Sequence, residues 1–114
     1  MATELIPAKW RADVCAILRS QDKSKIQIVS RARAEFFAQF PKAWDYNLYD
    51  LLERYLSRAD AVGCLISDLK PPGVGYEFIC EYEGEKVYAK LNLLASGDVV
   101  LIISAHRPLK GDVL

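Results

Sequence analysis

The sequence predicts a single α+β domain in which a C-terminal antiparallel β-meander of three to four strands packs on N-terminal helices. Three observations carry this reading. Apolar residues recur at helical spacing only as far as Leu56. From Tyr76 onward they alternate with polar residues at the period of a strand. Turn signals at Glu83-Gly84 and Ala95-Ser96-Gly97-Asp98 divide that second half into strands. At 114 residues the chain has the length of one core, so the domain is expected to span residues 1–114.

The first helix is expected from about Pro7 to Gln21, where Trp10, Val14, Ile17 and Leu18 form one apolar face. The polar run 21–25 ends it, and Ile26-Gln27-Ile28-Val29 has the β-branched content of a short strand. Ser30 can cap the next helix, which runs from Arg31 to Phe40 and stops before Pro41, whose ring disfavours helix in the residue before it. Asp45 is a suitable N-cap for a third helix with Leu48, Leu51, Leu52, Tyr55 and Leu56 on its apolar side, ended by the stretch Ala59 to Gly63.

Cys64 to Leu69 forms a short apolar strand, and Lys70-Pro71-Pro72-Gly73 breaks any ladder there. In the meander, pairing Tyr82 with Glu85 puts Cys80 opposite Val87 and Phe78 opposite Ala89 on the apolar side. The same register sets Glu81 against Lys86 and Glu77 against Lys90 on the polar side. For the last strand, Val99 to Ser104, a three-residue loop ending at Gly97 places Leu101 and Ile103 on the apolar face and Val100, Ile102, Ser104 and His106 with Tyr88 and Lys90. A two-residue Ser96-Gly97 loop reverses this, and the first register is preferred because glycine suits the left-handed position that loop requires. The apolar face is expected to pack on Leu48, Leu52, Tyr55 and Leu56.

Lys and Arg together number 15, as do Asp and Glu, so overall charge selects no partner, and a nucleic-acid binder must gather its cations locally. Cys15, Cys64 and Cys80 are odd in number and sit within apolar patterns, which suits reduced, buried thiols. With one histidine and no close cysteine pair to complete four ligands, no zinc site is expected. The start of the chain lacks the pattern of a signal peptide, and no apolar run of about 18 residues is present for a membrane span, so a cytoplasmic location is expected.

No glycine-rich phosphate loop, nucleophile elbow or zinc-protease helix motif occurs. Strand geometry does gather Glu77, Tyr88, Lys90 and His106, with Arg107 and Lys110 following and Lys70 at a nearby strand end. Cutting RNA without a metal needs a group that takes the 2′-hydroxyl proton, one that protonates the leaving oxygen, and cations for the phosphorane. Tyr, Lys, His and Arg can share these roles. The same residues also fit a plainer arrangement, in which Lys86 and Lys90 pair with glutamates across the hairpin, Tyr88 covers the sheet and His106 ends a strand.

The order helix, short strand, two helices and meander ending in a basic residue resembles the MqsR-type toxins of bacterial toxin-antitoxin systems, within the RelE-like mRNA interferases. The resemblance runs from about Trp10 to Pro108 and is carried by IQIVSRARAEFF and by KVYAKLNL followed by VVLIISAHRP. It implies a RelE-like toxin domain and a metal-independent endoribonuclease without cofactor, with mRNA, on or off the ribosome, as substrate and a cognate antitoxin protein as partner. By the resemblance Tyr88 matches the tyrosine of the family's V-Y-L-K segment, His106 the basic residue after the last strand, and Lys70 a lysine before the second meander strand. Tyr88, His106, Lys90 and Lys70 are then the expected catalytic residues, and Lys86, Arg107 and Lys110 the expected RNA contacts. A family glutamine on the strand from Tyr76 to Tyr82 has no counterpart, since Glu77 and Glu81 stand there. The alternative is a non-enzymatic, toxin-like interaction module that binds a protein or RNA.

Overall fold

The chain reverses at Glu83 and Gly84, whose φ angles of 50° and 78° are the paired left-handed conformations of a tight hairpin turn. That turn fixes the pairing of β4 (Gly73–Tyr82) with β5 (Glu85–Leu94) over ten residue pairs, from Tyr82↔Glu85 to Gly73↔Leu94. Phe78 faces Ala89, Cys80 faces Val87, Glu77 faces Lys90 and Glu81 faces Lys86, the register the alternation predicts. The computed structural model describes residues 3–109.

Around this hairpin the remaining elements are β1 (Glu4–Leu5), α1 (Ala8–Ser20), β2 (Ile26–Ile28), α2 (Ser30–Gln39), α3 (Asp45–Leu56), β3 (Val62–Ile66) and β6 (Val100–His106). They build one sheet of six strands in the order β1-β3-β4-β5-β6-β2, antiparallel except where β2 runs parallel to β6. The fold is therefore α+β, but its sheet is larger and more mixed than the expected three to four antiparallel strands. Two short edge strands make the difference. The outer edge of β6 would otherwise leave backbone groups unpaired, and Ile26–Ile28 fills it, flanked by Val100 N–H to Lys25 O at 2.9 Å and Val29 N–H to Ile102 O at 3.1 Å. On the far side Glu4 and Leu5 pair with Gly63 and Val62, a strand too short to register in an alternation pattern.

The register of β6 corrects the expected one. The β5–β6 connection is a four-residue loop, closed by Leu94 N–H to Val99 O at 2.9 Å, so Leu93 faces Val100 and Leu91 faces Ile102. Val100 and Ile102 are fully buried in the core, while Leu101 and Ile103 are half-exposed. Between Lys90 and Leu91 the pairing shifts, with Ile103 as the extra residue of a β-bulge, so that Lys90 faces Ser104 and Tyr88 faces His106. The bulge restores the parity that the longer loop had reversed. His106 thus reaches the face of Tyr88 by a different route from the one the loop argument gives.

The helices lie together on the Phe78 side, where Val14, Leu18, Phe36, Leu48, Leu52 and Leu56 are buried with Phe78, Val87, Ala89, Leu91, Val100 and Ile102. Tyr55 stacks flat on Phe78 at 5.0 Å between ring centroids, and Trp10 meets Tyr76 edge-on at 4.9 Å while donating Nε1–H to Val74 O at 2.8 Å. The Arg11 guanidinium donates to the carbonyls of Ile6, Leu56 and Arg58, satisfying the C-terminal end of α3 from α1. α3 begins at Asp45, with Trp44 as its cap residue. The side chain of Asn47 reaches back to accept Trp44 N–H at 2.7 Å, and the Asp45 carboxylate instead pairs with Arg33 and Lys23. Among the described residues no helix is long and apolar enough to cross a membrane.

Phe78 is wholly buried against Tyr55, so Phe78→Ala is expected to cost about 3 to 5 kcal/mol in denaturant unfolding, as for other large-to-small core changes. A loss below about 1 kcal/mol would place it outside the core. The thiols give a second expectation. Burial pushes Cys80 from 9.0 up to about 12, so the folded protein holds this proton where the unfolded chain releases it. The stability this contributes is complete below pH 9.0 and falls as pH rises from there toward 12. Alkylation of Cys80 by iodoacetamide should accordingly wait for unfolding, and reaction at the rate of a free thiol in the native protein would contradict its burial.

Candidate functional site

The face of the sheet turned away from the helices is organised in rows by the strand pairing. One row crosses Cys64, Glu77, Lys90 and Ser104, and the next crosses Ile79, Tyr88 and His106. Rows two residues apart along a strand are separated by about 7 Å, within reach of long side chains. Glu77 on β4 and Tyr88 on β5 are diagonal neighbours, and Tyr88 Oη donates to Glu77 Oε2 at 2.6 Å. The Tyr88 ring lies against the imidazole of His106, with centroids 5.2 Å apart and planes 25° from parallel. Both are mostly buried, at 8% exposure each.

His106 Nδ1 lies 2.8 Å from the carbonyl oxygen of Arg107. A carbonyl only accepts, so Nδ1 carries a hydrogen, and of the two neutral tautomers this is the one that leaves the lone pair on Nε2. Glu77, Tyr88, His106 and Lys90 therefore place a carboxylate, a phenol, an imidazole with a defined tautomer and an ammonium on two adjacent rows. That set can take up and deliver protons and offset the charge of an anion.

The other predicted residues divide. Lys86 shares this face two residues before Tyr88, is exposed and stands opposite Glu81. Lys70 is exposed on the 67–72 segment that joins β3 to β4. Arg107 does not join the expected basic patch, because its guanidinium pairs with Glu85 at 2.8 Å at the tip of the β4–β5 hairpin. Arg107, with a further hydrogen bond from Gln39, holds the Glu85 carboxyl below its ordinary range. Lys110 lies outside the described residues. The face that emerges is of mixed charge, with Glu77 and Glu81 beside Lys86 and Lys90, where a basic patch was expected.

One residue that the pattern alone does not single out is Asn92, which follows Tyr88 and Lys90 on the same face and is wholly buried. Its Nδ2 donates to Pro71 O at 2.8 Å, while its Oδ1 accepts no hydrogen bond among the described residues. An orphaned buried acceptor costs about 1 to 3 kcal/mol. The available signal was a lone amide inside the apolar run Leu91-Asn92-Leu93-Leu94.

The cysteines offer no activated nucleophile. All three are buried, and Cys15 is raised chiefly by burial, as is Cys80. Among the described residues no group of three His, Cys, Asp or Glu side chains could hold a metal ion. Comparison with protein-family models, with curated proteins and with solved structures finds no match to this chain.

Proposed function

We propose that this chain is a RelE-like, MqsR-type toxin, a metal-independent endoribonuclease that cleaves mRNA in the cytoplasm and is restrained by a cognate antitoxin. The observation that supports this reading is the stacking of Tyr88 on His106, with the phenol held by Glu77 and Lys90 in the adjoining row. In this reading neutral His106 takes the 2′-hydroxyl proton at Nε2 as the 2′ oxygen attacks phosphorus. The bond from phosphorus to the 5′ oxygen breaks, and Tyr88 protonates that leaving oxygen. RNA binding must first draw the Tyr88 hydroxyl off Glu77, since one hydrogen cannot serve both. Lys90 offsets charge on the phosphorane, Lys70 approaches from the segment above, and Lys86 contacts a flanking phosphate.

A surface suited to an antitoxin lies apart from this face. Trp44 and Tyr46, 68% and 51% exposed, flank a cavity of about 440 Å³ lined also by Phe37, Pro41 and Tyr49. Exposed aromatics beside a concavity are typical anchors for a protein partner. The low exposure of Tyr88 and His106 favours the second reading, a non-enzymatic module in which the same cluster stiffens a face that binds RNA or protein.

The test is incubation of the purified chain with single-stranded RNA in the presence of EDTA. The nuclease reading expects products ending in a cyclic phosphate and a 5′-hydroxyl. His106→Ala should lower kcat about 100-fold or more with little change in KM, the scale of losing a proton-transfer group. Intact RNA with wild-type protein, together with salt-sensitive binding, would leave the binding module as the function.

A further inference from the structure

Asn92 has no part in the chemistry just described, yet the sheet is shaped around it. It forms a row with Gly75 of β4 and Ile66 of β3, the row next to the one bearing Cys64, Glu77, Lys90 and Ser104. The 67–72 segment folds back over this row. Asn92 Nδ2 donates to Pro71 O at 2.8 Å, and Ala95 N–H donates to Pro72 O at 3.1 Å. A Cβ on Gly75 would come within 2.6 Å of Leu69 Cδ1, so the Leu69 side chain occupies the space a residue there would fill. A Cβ on Gly73 would lie 2.1 Å from Asn92 Oδ1, so the amide itself sits where only glycine leaves room. Two glycines and one asparagine thus clear a bed for the strap and tie it down.

A leucine of similar size would fill the Asn92 site without burying an unpaired oxygen. The amide is justified by its donor, and that donor has one partner, the backbone of the residue after Lys70. We propose that Asn92 is a positioning residue that holds the 67–72 strap, and with it Lys70, over the face that carries Tyr88, Lys90 and His106. Leu69 packs over Gly75 and the Pro71 carbonyl bonds Asn92, which puts the backbone of Lys70 over the row next to the one that bears Glu77 and Lys90. This rests on the reading of that face as the RNA-cleaving site. Asn92 acts through Lys70 and touches no substrate.

The experiment pairs hydrogen exchange with a double-mutant cycle on RNA cleavage. In Asn92→Ala the amides of residues 67–70 should exchange about tenfold faster or more, with α3 and β6 unchanged, the signature of a locally released segment. Asn92→Ala and Lys70→Ala should each lower kcat about tenfold with KM nearly constant, and the double variant should be no slower than Lys70→Ala alone. Leu69→Ala loosens the strap while leaving every residue of the sheet in place, and it should show the same pattern more weakly, which keeps the test decisive if Asn92→Ala does not fold. Multiplying losses in the double variant, or unchanged strap exchange, would overturn the proposal and leave Asn92 a packing residue. If the wild-type chain cuts no RNA, the nuclease reading fails by itself. Exchange then still decides whether Asn92 holds the strap: faster exchange confined to residues 67–70 supports it, and unchanged exchange overturns it.

Discussion

The parity of the β4–β5 pairing governs the molecule. Ten consecutive pairs descend from one two-residue turn, and because side chains alternate along a strand, one choice of register assigns every residue of both strands to a face. The same choice that sends Phe78, Cys80, Val87 and Ala89 under the helices sends Glu77, Tyr88, Lys90 and Asn92 to the other side. A slip of one residue would expose the core and bury the carboxylate and the ammonium together. The hydrophobic effect that stabilises one face is therefore also what aligns the polar residues of the other.

β6 shows how a second strand is fitted to a face already set. Its first residues obey the core, with Val100 and Ile102 beneath the helices, and its last residues obey the polar face, with Ser104 and His106 above. No uninterrupted strand can satisfy both, and the extra residue at Ile103 resolves the conflict. The bulge costs one unpaired residue in the ladder and gains the stacking of His106 on Tyr88. Placing a bulge beside a cluster of titratable side chains is a common way to re-aim a residue without disturbing a core.

Much of this was legible in the residues, and the limits have physical causes. The hairpin register could be read because Glu83-Gly84 permits one tight turn and because both faces agree on it. Leu48, Leu52 and Leu56 could be assigned to the core because a helix repeats its pattern over three turns. β1 could not be, since two residues carry no period, and β2 could be read as a strand but not as the parallel neighbour of β6, a pairing between distant segments. The β6 register turns on whether the loop holds an odd or an even number of residues: the preferred three-residue loop gives one parity, while the four residues found give the parity of the two-residue Ser96-Gly97 alternative, and glycine at position 97, with its φ of 82°, fits either. Sequence proximity groups Arg107 with the cluster, whereas alternation directs it away from His106, and it pairs with Glu85. Asn92 was hidden because its partner is a backbone carbonyl on a loop, which no side-chain pattern announces.

The two tryptophans divide the protein's intrinsic fluorescence between its interior and its surface. Trp10 is 5% exposed and bonded to Val74 O within the helix–sheet seam, so its emission reports whether that seam is closed. Trp44, at 68%, stands in solvent beside the aromatic cavity at the start of α3, where an aqueous quencher reaches it and the core one is shielded. Quenching can therefore separate the two without any label. Folding and events at the cavity would be read from one spectrum, each through its own indole.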